Sequence, residues 1–423
     1  MAPSRKPAPE PVQAAAAAFV AEHPEFRTLR VALSGGRDSA VLLHALARVD
    51  GDRRVQPVHV HHGLHALADA QAEHCRSFAR QLGYACTVRE VTVPVRPEEG
   101  VEAAARRLRY QALARDAGPA DCILTAHHAS DQAETFVLAA LKGSGPAGLA
   151  AMPRLRRIGA CWLGRPLLDV SGASVAAYAV AQGLHWIEDP SNQDSRFDRN
   201  FLRQQVFPLL FRRFPVDRRL QAAAKLQAEV LALIDGLLDP LLEALSGPAS
   251  DSLDLDGLLR EDVLRRPWLL RRFATRRGLV APRRGPLLEF LRQVEHGDLQ
   301  SSPELRWEGH ALRTYRRRLY LLDERGPAAE LPPEGIEWPR TAMELRLPDG
   351  RLLTAAELRN AGVCPTEGLR VGFRQGGERL RLPDGGRRSL KNLMQERGVP
   401  PWRRAAVPLI RRDGELVAVL WDR

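Results

Sequence analysis

One short stretch near the start of the chain has residue types that could hold an anion: Ser34, Gly35, Gly36, Arg37, Asp38 and Ser39. An apolar run at 29–33 precedes it, and apolar residues at helical spacing follow it from Val41. The pattern predicts a strand, a tight glycine turn and a helix. Backbone N–H groups at such a turn point outward at a helix N-terminus, where the helix dipole favours a phosphate. Gly35 and Gly36 also allow close approach of the backbone, because they lack a Cβ.

No Gly-Lys-Ser/Thr follows these glycines, which excludes the Walker type of phosphate loop. The order Ser-Gly-Gly-x-Asp-Ser instead resembles the PP-loop of the ATP pyrophosphatases, which adenylate an oxygen and release pyrophosphate. The alternative is an ordinary Gly-Gly turn with Asp38 as an acidic residue in the first helical turn. The strand before the turn and the Asp-Ser pair after it favour the nucleotide loop.

A second group of polar residues follows a short apolar strand predicted at 122–126. Asp131 and Glu134 are three residues apart on a predicted helix at 131–141, so they share a face, and His127 lies just before them. The alternative for this pair is a solvated helix face. We predict that they belong to the same site as the glycine turn.

The elements around these residues predict an α/β fold. Strands near 29–33, 55–64, 85–93 and 122–126 alternate with helices near 68–82, 102–114 and 131–141. This alternation favours a parallel sheet covered on both faces, with ligands beyond the carboxyl ends of the strands. Three segments are then expected to converge there: the glycine turn, residues 59–63 and residues 125–134.

The rest of the chain is expected to add two smaller parts. We predict a disordered tail at 1–12, the nucleotide-binding domain at 13–215, a mostly helical domain at 216–323, a linker at 324–342 and a small α+β module at 343–423. Within these, residues 142–149 are predicted to form a loop, 305–322 two strands, and the last module a single helix at 390–397. Helices are predicted at 13–22, 175–182, 220–245, 261–277 and 285–296. One further amphipathic helix is predicted after Arg203 and ends near residue 214.

The composition describes a globular protein that contacts phosphates. The chain has 423 residues, 44% hydrophobic and 27% charged, with a formal net charge of +11. Only four of its 62 basic residues are lysines, and arginine binds phosphate in bidentate fashion and stacks on bases. A GC-rich genome would explain the arginine share but not the net charge. No membrane span or secretory signal is recognised, which predicts a cytoplasmic protein.

Metal clusters, catalytic zinc and redox cysteine pairs are disfavoured by the spacing of the cysteines and histidines. The five cysteines are single, with no C-x-x-C pair, which indicates a reducing compartment. The histidines at 59, 61, 62, 65, 127 and 128 could suggest a metal hydrolase, but the aspartate that usually accompanies such ligands is missing beside Gly63. Packing or nucleotide contact is the preferred interpretation for them.

Taken together, these motifs resemble the tRNA(Ile)-lysidine synthetase family over nearly the full chain. The matching stretches are SGGRDS at 34–39, VHHGL at 60–64, EAAARRLRY at 102–110, TAHHASDQAET at 125–135, GSG at 143–145, DPSN at 189–192, RN at 199–200 with Arg203, and GVPPW at 398–402. The resemblance implies that ATP adenylates the C2 oxygen of the wobble cytidine in a tRNA(Ile) with a CAU anticodon. Free lysine then displaces AMP to give lysidine.

The resemblance also implies roles for individual residues. Asp38 would bind Mg²⁺ or organise the loop, and Asp131 and Glu134 would hold the ammonium of lysine, with His127 beside them. Arg106, Arg109 and Arg203 match family positions near the reacting groups and would bind phosphate or the lysine carboxylate; their alternative is a solvated arginine face. One residue departs from the family pattern, because Ser130 stands where an aspartate is usual. A homodimer is compatible with this resemblance, and the sequence does not fix the oligomeric state.

Two rival functions remain open at this point. A tRNA thiolase on the same fold needs a cysteine nucleophile or a C-x-x-C pair, and here the cysteines lie outside the motifs. An RNA-binding protein with a degenerate nucleotide domain would not need the intact loop, Asp131 and Glu134. We therefore predict an enzyme that uses an external amine.

Overall fold

In the computed structural model, the chain folds into two units, Met1–Gly236 and Leu237–Arg423. The structure describes residues 10–49, 51, 53–63, 68–92, 101–188, 194–247, 251–297, 303–324, 335–339, 341–347, 350–364, 368–381 and 386–421, and of residues 101–103 the backbone only. The DPSN motif at 189–192, His65 and most of the predicted linker therefore lie outside the described residues. The boundaries of the five predicted parts stay predictions.

A six-stranded sheet forms the centre of the first unit. Its strands, in the order β3-β2-β1-β4-β6-β5, are β1 (Thr28–Ala32), β2 (Arg54–His61), β3 (Thr87–Glu90), β4 (Asp121–Leu124), β5 (Leu155–Ile158) and β6 (Cys161–Gly164). Every neighbouring pair is parallel except β5 with β6. The predicted parallel sheet is confirmed, and an antiparallel edge strand is a common addition to such sheets.

The helices of the first unit pack on this sheet or on one another. They are α1 (Pro11–Glu22), α2 (Arg37–Leu46), α3 (Ala68–Gln81), α4 (Val101–Ala114), α5 (Ala129–Leu141), α6 (Pro146–Leu149), α7 (Gly172–Ala181), α8 (Asp198–Phe201), α9 (Phe207–Phe211) and α10 (Val216–Leu245), which continues into the second unit. One apolar cluster joins α1, α2, α3 and α7 to the sheet, and another joins α4 to it. Because α1 begins at Pro11, the last two residues of the predicted tail are helical.

Two segments of the first unit differ from the prediction, and a proline explains each. Residues 142–149 were predicted to be a loop, but Pro146 starts the one-turn helix α6, where a fixed φ is favourable and the missing N–H costs nothing. The single helix predicted up to about residue 214 is interrupted by a π-helical turn at Leu202–Val206. Pro208 follows within α9 and cannot donate to the carbonyl of Gln204, which disturbs the α-helical bonding.

The second unit begins with helices packed on a small antiparallel sheet. After α10 come β7 (Ser252–Asp254), α11 (Leu255–Arg260), α12 (Arg265–Thr275), α13 (Arg284–His296), β8 (Glu304–Trp307), β9 (His310–Tyr315) and β10 (Arg318–Asp323). The strands are ordered β7-β10-β9-β8. The prediction of two strands at 305–322 is wrong, because two tight turns divide that segment into three. Arg316 and Arg317 form one of these turns with positive φ, which sequence patterns associate with glycine or asparagine instead.

The last part of the second unit is α+β, as predicted. It contains β11 (Ile336–Glu337), β12 (Glu344–Arg346), β13 (Leu352–Thr354), α14 (Ala355–Asn360), β14 (Leu369–Gly372), β15 (Arg379–Arg381), β16 (Arg387–Ser389), α15 (Leu390–Glu396), a 3₁₀ turn at Pro401–Ala406, β17 (Leu409–Arg412) and β18 (Glu415–Val419). The prediction of a single helix here is wrong, since α14 precedes α15. A capping box of Thr354 and Glu357 starts α14, so the sequence did carry a signal for it.

Candidate active site

The predicted glycine turn connects β1 to α2 at the carboxyl edge of the sheet. Gly35 has a φ of +87°, a value that favours glycine. The Ser39 hydroxyl donates to the Gly36 carbonyl at 2.9 Å and accepts the Ser34 N–H at 3.1 Å. These two hydrogen bonds join Ser39, in the first turn of α2, to both ends of the glycine turn. Its six residues therefore form one structural loop at the start of a helix, the arrangement that binds phosphate.

Asp38 connects this loop to α5. One of its carboxylate oxygens accepts the Nε–H of Arg37 at 2.8 Å, and the other lies 3.5 Å from Nε2 of His128. Burial opposes ionisation of Asp38, but the contacts to His128 and Arg37 outweigh burial and lower its pKa. The loop thus holds a carboxylate whose ionised form is favoured by its neighbours and which is still about one-third exposed.

Asp131 lies in the first turn of α5, against His128. The His128 backbone N–H donates to Oδ2 of Asp131 at 2.9 Å, which satisfies a donor that a helix start leaves unpaired. Burial opposes ionisation, but His128, His127 and Arg199 outweigh it and lower the pKa of Asp131. The Asp131 side chain is only 13% exposed, so the alternative of a solvated helix face does not apply.

Glu134 is the most deeply buried carboxylate of this group, at 2% exposure. Arg199 donates its Nε–H to one oxygen at 2.7 Å, and Arg203 donates its Nε–H to the other at 2.6 Å. Arg203 also lies 3.4 Å from Asp131. The predicted trio of Asp131, Glu134 and Arg203 is therefore brought together by direct contact.

Arg199 was noted in a motif but not assigned to the site. It belongs to α8, and Arg203 to the π-helical turn that follows. The spacing of four residues was the available signal, since side chains at i and i+4 on a helix can reach the same partner.

The two adjacent histidines have different electrostatic surroundings. His127 shares a hydrogen bond of 2.8 Å between its Nδ1 and the Thr125 hydroxyl. Loss of water contact, which outweighs the attraction of Asp131, lowers the pKa of His127 to about 3. For His128, the hydrogen bond to Asp38 and the charge of Asp131 outweigh burial and raise the pKa. His127 is thus a neutral ring, and His128 pairs with carboxylates.

Arg106 and Arg109 both stack on the ring of Tyr110, at 5.3 and 5.8 Å from its centroid. The positive charge of Arg106 contributes to lowering the pKa of His127. The structure therefore places Arg106 in the electrostatic surroundings of His127, and Arg109 against the ring of Tyr110.

Ser130, the residue that departs from the family pattern, contacts a carboxylate from another helix. Its hydroxyl donates to Oδ2 of Asp217, in the first turn of α10, at 2.9 Å. Sequence reasoning missed Asp217 because 87 residues separate it from Ser130.

The histidines of β2 have packing roles in the structure. The ring of His59 contacts the Leu33 carbonyl at 2.8 Å, and His61 pairs with Asp69 at 2.9 Å. Within the described ranges, no group of three His, Cys, Asp or Glu side chains is arranged to hold a metal ion. No helix in the described part of the chain is long and apolar enough to cross a membrane.

Comparison with known proteins agrees with this geometry. Residues 9–210 match the family of PP-loop domains, and residues 369–420 match the TilS substrate C-terminal domain. The chain is 42% identical to a tRNA(Ile)-lysidine synthase of Alkalilimnicola ehrlichii, over 92% of this chain and 88% of that protein. The chain belongs to the tRNA(Ile)-lysidine synthase family.

Other members of the family are similarly close. The Serratia proteamaculans tRNA(Ile)-lysidine synthase is 41% identical over 93% of this chain and 91% of that protein.

Among solved structures, the U34-tRNA thiolase NcsA of Methanococcus maripaludis aligns with 52% of this chain and 78% of that chain, at 13% identity and a TM-score of 0.42. Membership of the family, together with the intact loop, assigns ATP as the nucleotide.

Proposed function

We propose that the protein ligates free lysine to C2 of the wobble cytidine of a tRNA(Ile) with a CAU anticodon, through an adenylated tRNA intermediate. AMP and pyrophosphate are the other products, and the reaction takes place in the cytoplasm. One observation carries the proposal: Asp38 of the nucleotide loop and Asp131 of α5 both contact His128. An ATP site and a group of carboxylates that suits an amine are thereby adjacent.

In the first half-reaction the cytidine C2 oxygen attacks the α-phosphorus of ATP. The new O–P bond forms as the bond to the β-phosphate breaks, and pyrophosphate leaves. The backbone N–H groups of the glycine turn would hold the departing anion. Asp38 suits a magnesium ligand, because Mg²⁺ is usually held by one or two carboxylates together with substrate phosphates and water. The ion would supply charge neutralisation on the phosphates.

In the second half-reaction the ε-amine of lysine attacks C2. The C–N bond forms, the C2–O bond breaks and AMP leaves. Glu134 already accepts three N–H groups from arginines, whereas Asp131 accepts one backbone N–H and one longer bond of 3.4 Å from Arg203, and so has more remaining acceptor capacity. We therefore assign the lysine ammonium and its departing proton to Asp131. Glu134 would complete the negative face of this pocket and hold Arg199 and Arg203 in place.

The remaining predicted residues have supporting roles in this scheme. A neutral His127 can accept a hydrogen bond from the amine, because a ring with a pKa of about 3 is unprotonated at neutral pH. Arg106, Arg109 and Arg203 would bind phosphate or the lysine carboxylate, for which guanidinium is well shaped.

The two parts predicted at 216–323 and 343–423 would bind tRNA through its phosphates. Exposed arginines on the β15–β16 hairpin support this assignment: Arg379, Arg381, Arg387 and Arg388. An arginine-rich surface suits contact with RNA phosphates.

The cysteines argue against sulfur transfer. Cys75, Cys122 and Cys161 are fully buried, and burial raises the pKa of Cys75 and of Cys122 to about 12. A thiol with such a pKa is not ionised at neutral pH and is a poor nucleophile. Burial also raises the pKa of the half-buried Cys86, and the exposed Cys364 belongs to none of the matching motifs.

Incorporation of labelled lysine into unmodified tRNA(Ile) would test the proposed function. We expect ATP-dependent incorporation into the tRNA with cytidine at the wobble position, and none into the same tRNA with uridine there. Incorporation that is independent of ATP, or equal for both tRNAs, would refute the proposal.

A further inference from the structure

Asp217 adds a carboxylate to the candidate site from an unexpected element. It stands in the first turn of α10 and accepts the Ser130 hydroxyl of α5 at 2.9 Å through Oδ2. Its other oxygen, Oδ1, is buried and has no hydrogen-bond partner among the described residues. A buried acceptor without a hydrogen bond lowers the stability of the folded state. Such groups are few in native proteins, and each calls for an explanation.

The other carboxylates of the site are paired with guanidinium groups. Asp38 contacts Arg37, Asp131 contacts Arg203, and Glu134 contacts both Arg199 and Arg203. The partner that the structure gives Asp217 is a hydroxyl, which leaves its negative charge uncompensated by contact. Burial raises the pKa of Asp217. The Ser130 hydrogen bond and the charge of His128 act against burial, and the charges of Glu134 and Asp131 act with it, so Asp217 interacts electrostatically with the site.

The surroundings of Ser130 hold this contact in place. A Cβ on Gly172, the first residue of α7, would lie 2.7 Å from the Ser130 hydroxyl and 3.1 Å from the His128 ring. Glycine therefore lets α7 approach the start of α5 closely enough to restrict the Ser130 side chain. A restricted hydroxyl fixes the position of the carboxylate that it binds.

We propose that Asp217 is a positioning residue for the cationic substrate, supplying an uncompensated negative charge beside Asp131 that favours binding of the lysine ammonium. The inference rests on the proposed function and deepens it, because it adds a substrate-selecting residue from α10. Asp217 acts through the field at the site, whereas ATP binds at the loop on the other side of His128. Loss of its charge should therefore weaken lysine binding and leave adenylation unchanged.

The steady-state kinetics of the Asp217→Asn variant test this inference. Asparagine keeps an acceptor for Ser130 and removes the ionisable group. We expect the KM for lysine to rise roughly tenfold, because the substitution removes one partly screened charge from the surroundings of the ammonium. The kcat and the rate of pyrophosphate release without lysine should stay within about twofold of the parent.

Asp169→Asn is the matched control. Asp169 also contacts α10, but it is exposed and pairs with Lys225 at 2.8 Å. Its removal should leave the KM for lysine at the parent value. A rise equal to that of Asp217→Asn would overturn the inference, because any loosening of α10 would then suffice.

A double variant, Ser130→Asp with Asp217→Ser, returns the charge from the opposite side of the same hydrogen bond. We expect it to restore the KM for lysine to within about threefold of the parent. If Asp217→Asn has the parent KM for lysine, or if the double variant stays as weak as Asp217→Asn, the inference is wrong. A parent protein that incorporates no lysine would instead refute the proposed function and the inference with it.

Discussion

At the scale of single residues, Asp38 is the point on which the first chemical step depends. It is the acidic residue of the nucleotide loop and contacts His128 of the lysine pocket. We expect Asp38→Ala to abolish pyrophosphate release, because both the proposed magnesium ligand and the contact to α5 are lost. The tRNA affinity should stay within about twofold, since phosphate contacts elsewhere carry it. Filter binding and a pyrophosphate assay would separate the two; release at the parent rate would contradict the site.

Glu134 tests whether the buried carboxylate serves binding or structure. Glu134→Gln should weaken lysine use by roughly 10- to 100-fold, because it removes a negative charge from the pocket and weakens the charge-assisted bonds, about 1.5–3 kcal/mol each, that hold Arg199 and Arg203 in place. Since Glu134 also accepts both Arg199 and Arg203, the free energy of unfolding should fall by about 2 kcal/mol. A time course with labelled ATP and a urea titration would measure the two effects. Blocked adenylation with unchanged lysine use would move Glu134 to the ATP site.

Sequence analysis could indicate the candidate site residues that lie close to one another in the chain. A glycine turn indicated Ser34 to Ser39. The start of one helix indicated His127, Asp131 and Glu134. No such local pattern indicated Asp217, since its contact with Ser130 depends on the packing of α10 against α5. The pairing of Arg203 with Glu134 likewise spans 69 residues, and Arg203 lies in a π-helical turn that no periodicity indicated.

At the scale of elements, the helix that follows the nucleotide loop is held by a buried histidine. His44 of α2 contacts the Tyr178 hydroxyl of α7 at 3.0 Å and is 6% exposed. Burial, reinforced by the charge of Arg48, lowers the pKa of His44 to about 4. The long apolar helices and strands were predictable from periodicity, but a polar contact between two helices such as this one was not.

The buried His44 leads to a prediction of how the free energy of unfolding changes with pH. The folded state keeps His44 neutral, whereas the unfolded chain protonates it below about pH 6.5. Its contribution to stability is therefore lost as the pH falls from about 6.5 to 4. We expect His44→Gln to lose less stability than the parent over this range, as measured by urea unfolding at several pH values. A variant whose stability falls as steeply as that of the parent would contradict the buried neutral ring.

At the scale of the whole molecule, the net charge of +11 predicts how tRNA is bound. Binding through phosphates releases counterions, so the tRNA affinity should fall steeply with salt. Arg379→Ala with Arg381→Ala, on the exposed β15–β16 hairpin, should reduce the slope of log affinity against log salt by about 1 to 2. The matched control is Arg292→Ala, because Arg292 is occupied by Glu289 on its own helix. Equal slopes for parent and double variant would exclude the hairpin from the interface.

The two-step account is tested most directly by a quenched time course with ATP labelled at the α-phosphate and tRNA(Ile). Without lysine, we predict that label accumulates on the tRNA as pyrophosphate is released. Added lysine should then release labelled AMP and become attached to the tRNA at the same rate. The opposite result, lysine attachment with no label on the tRNA at any time before it, would contradict an adenylated tRNA intermediate.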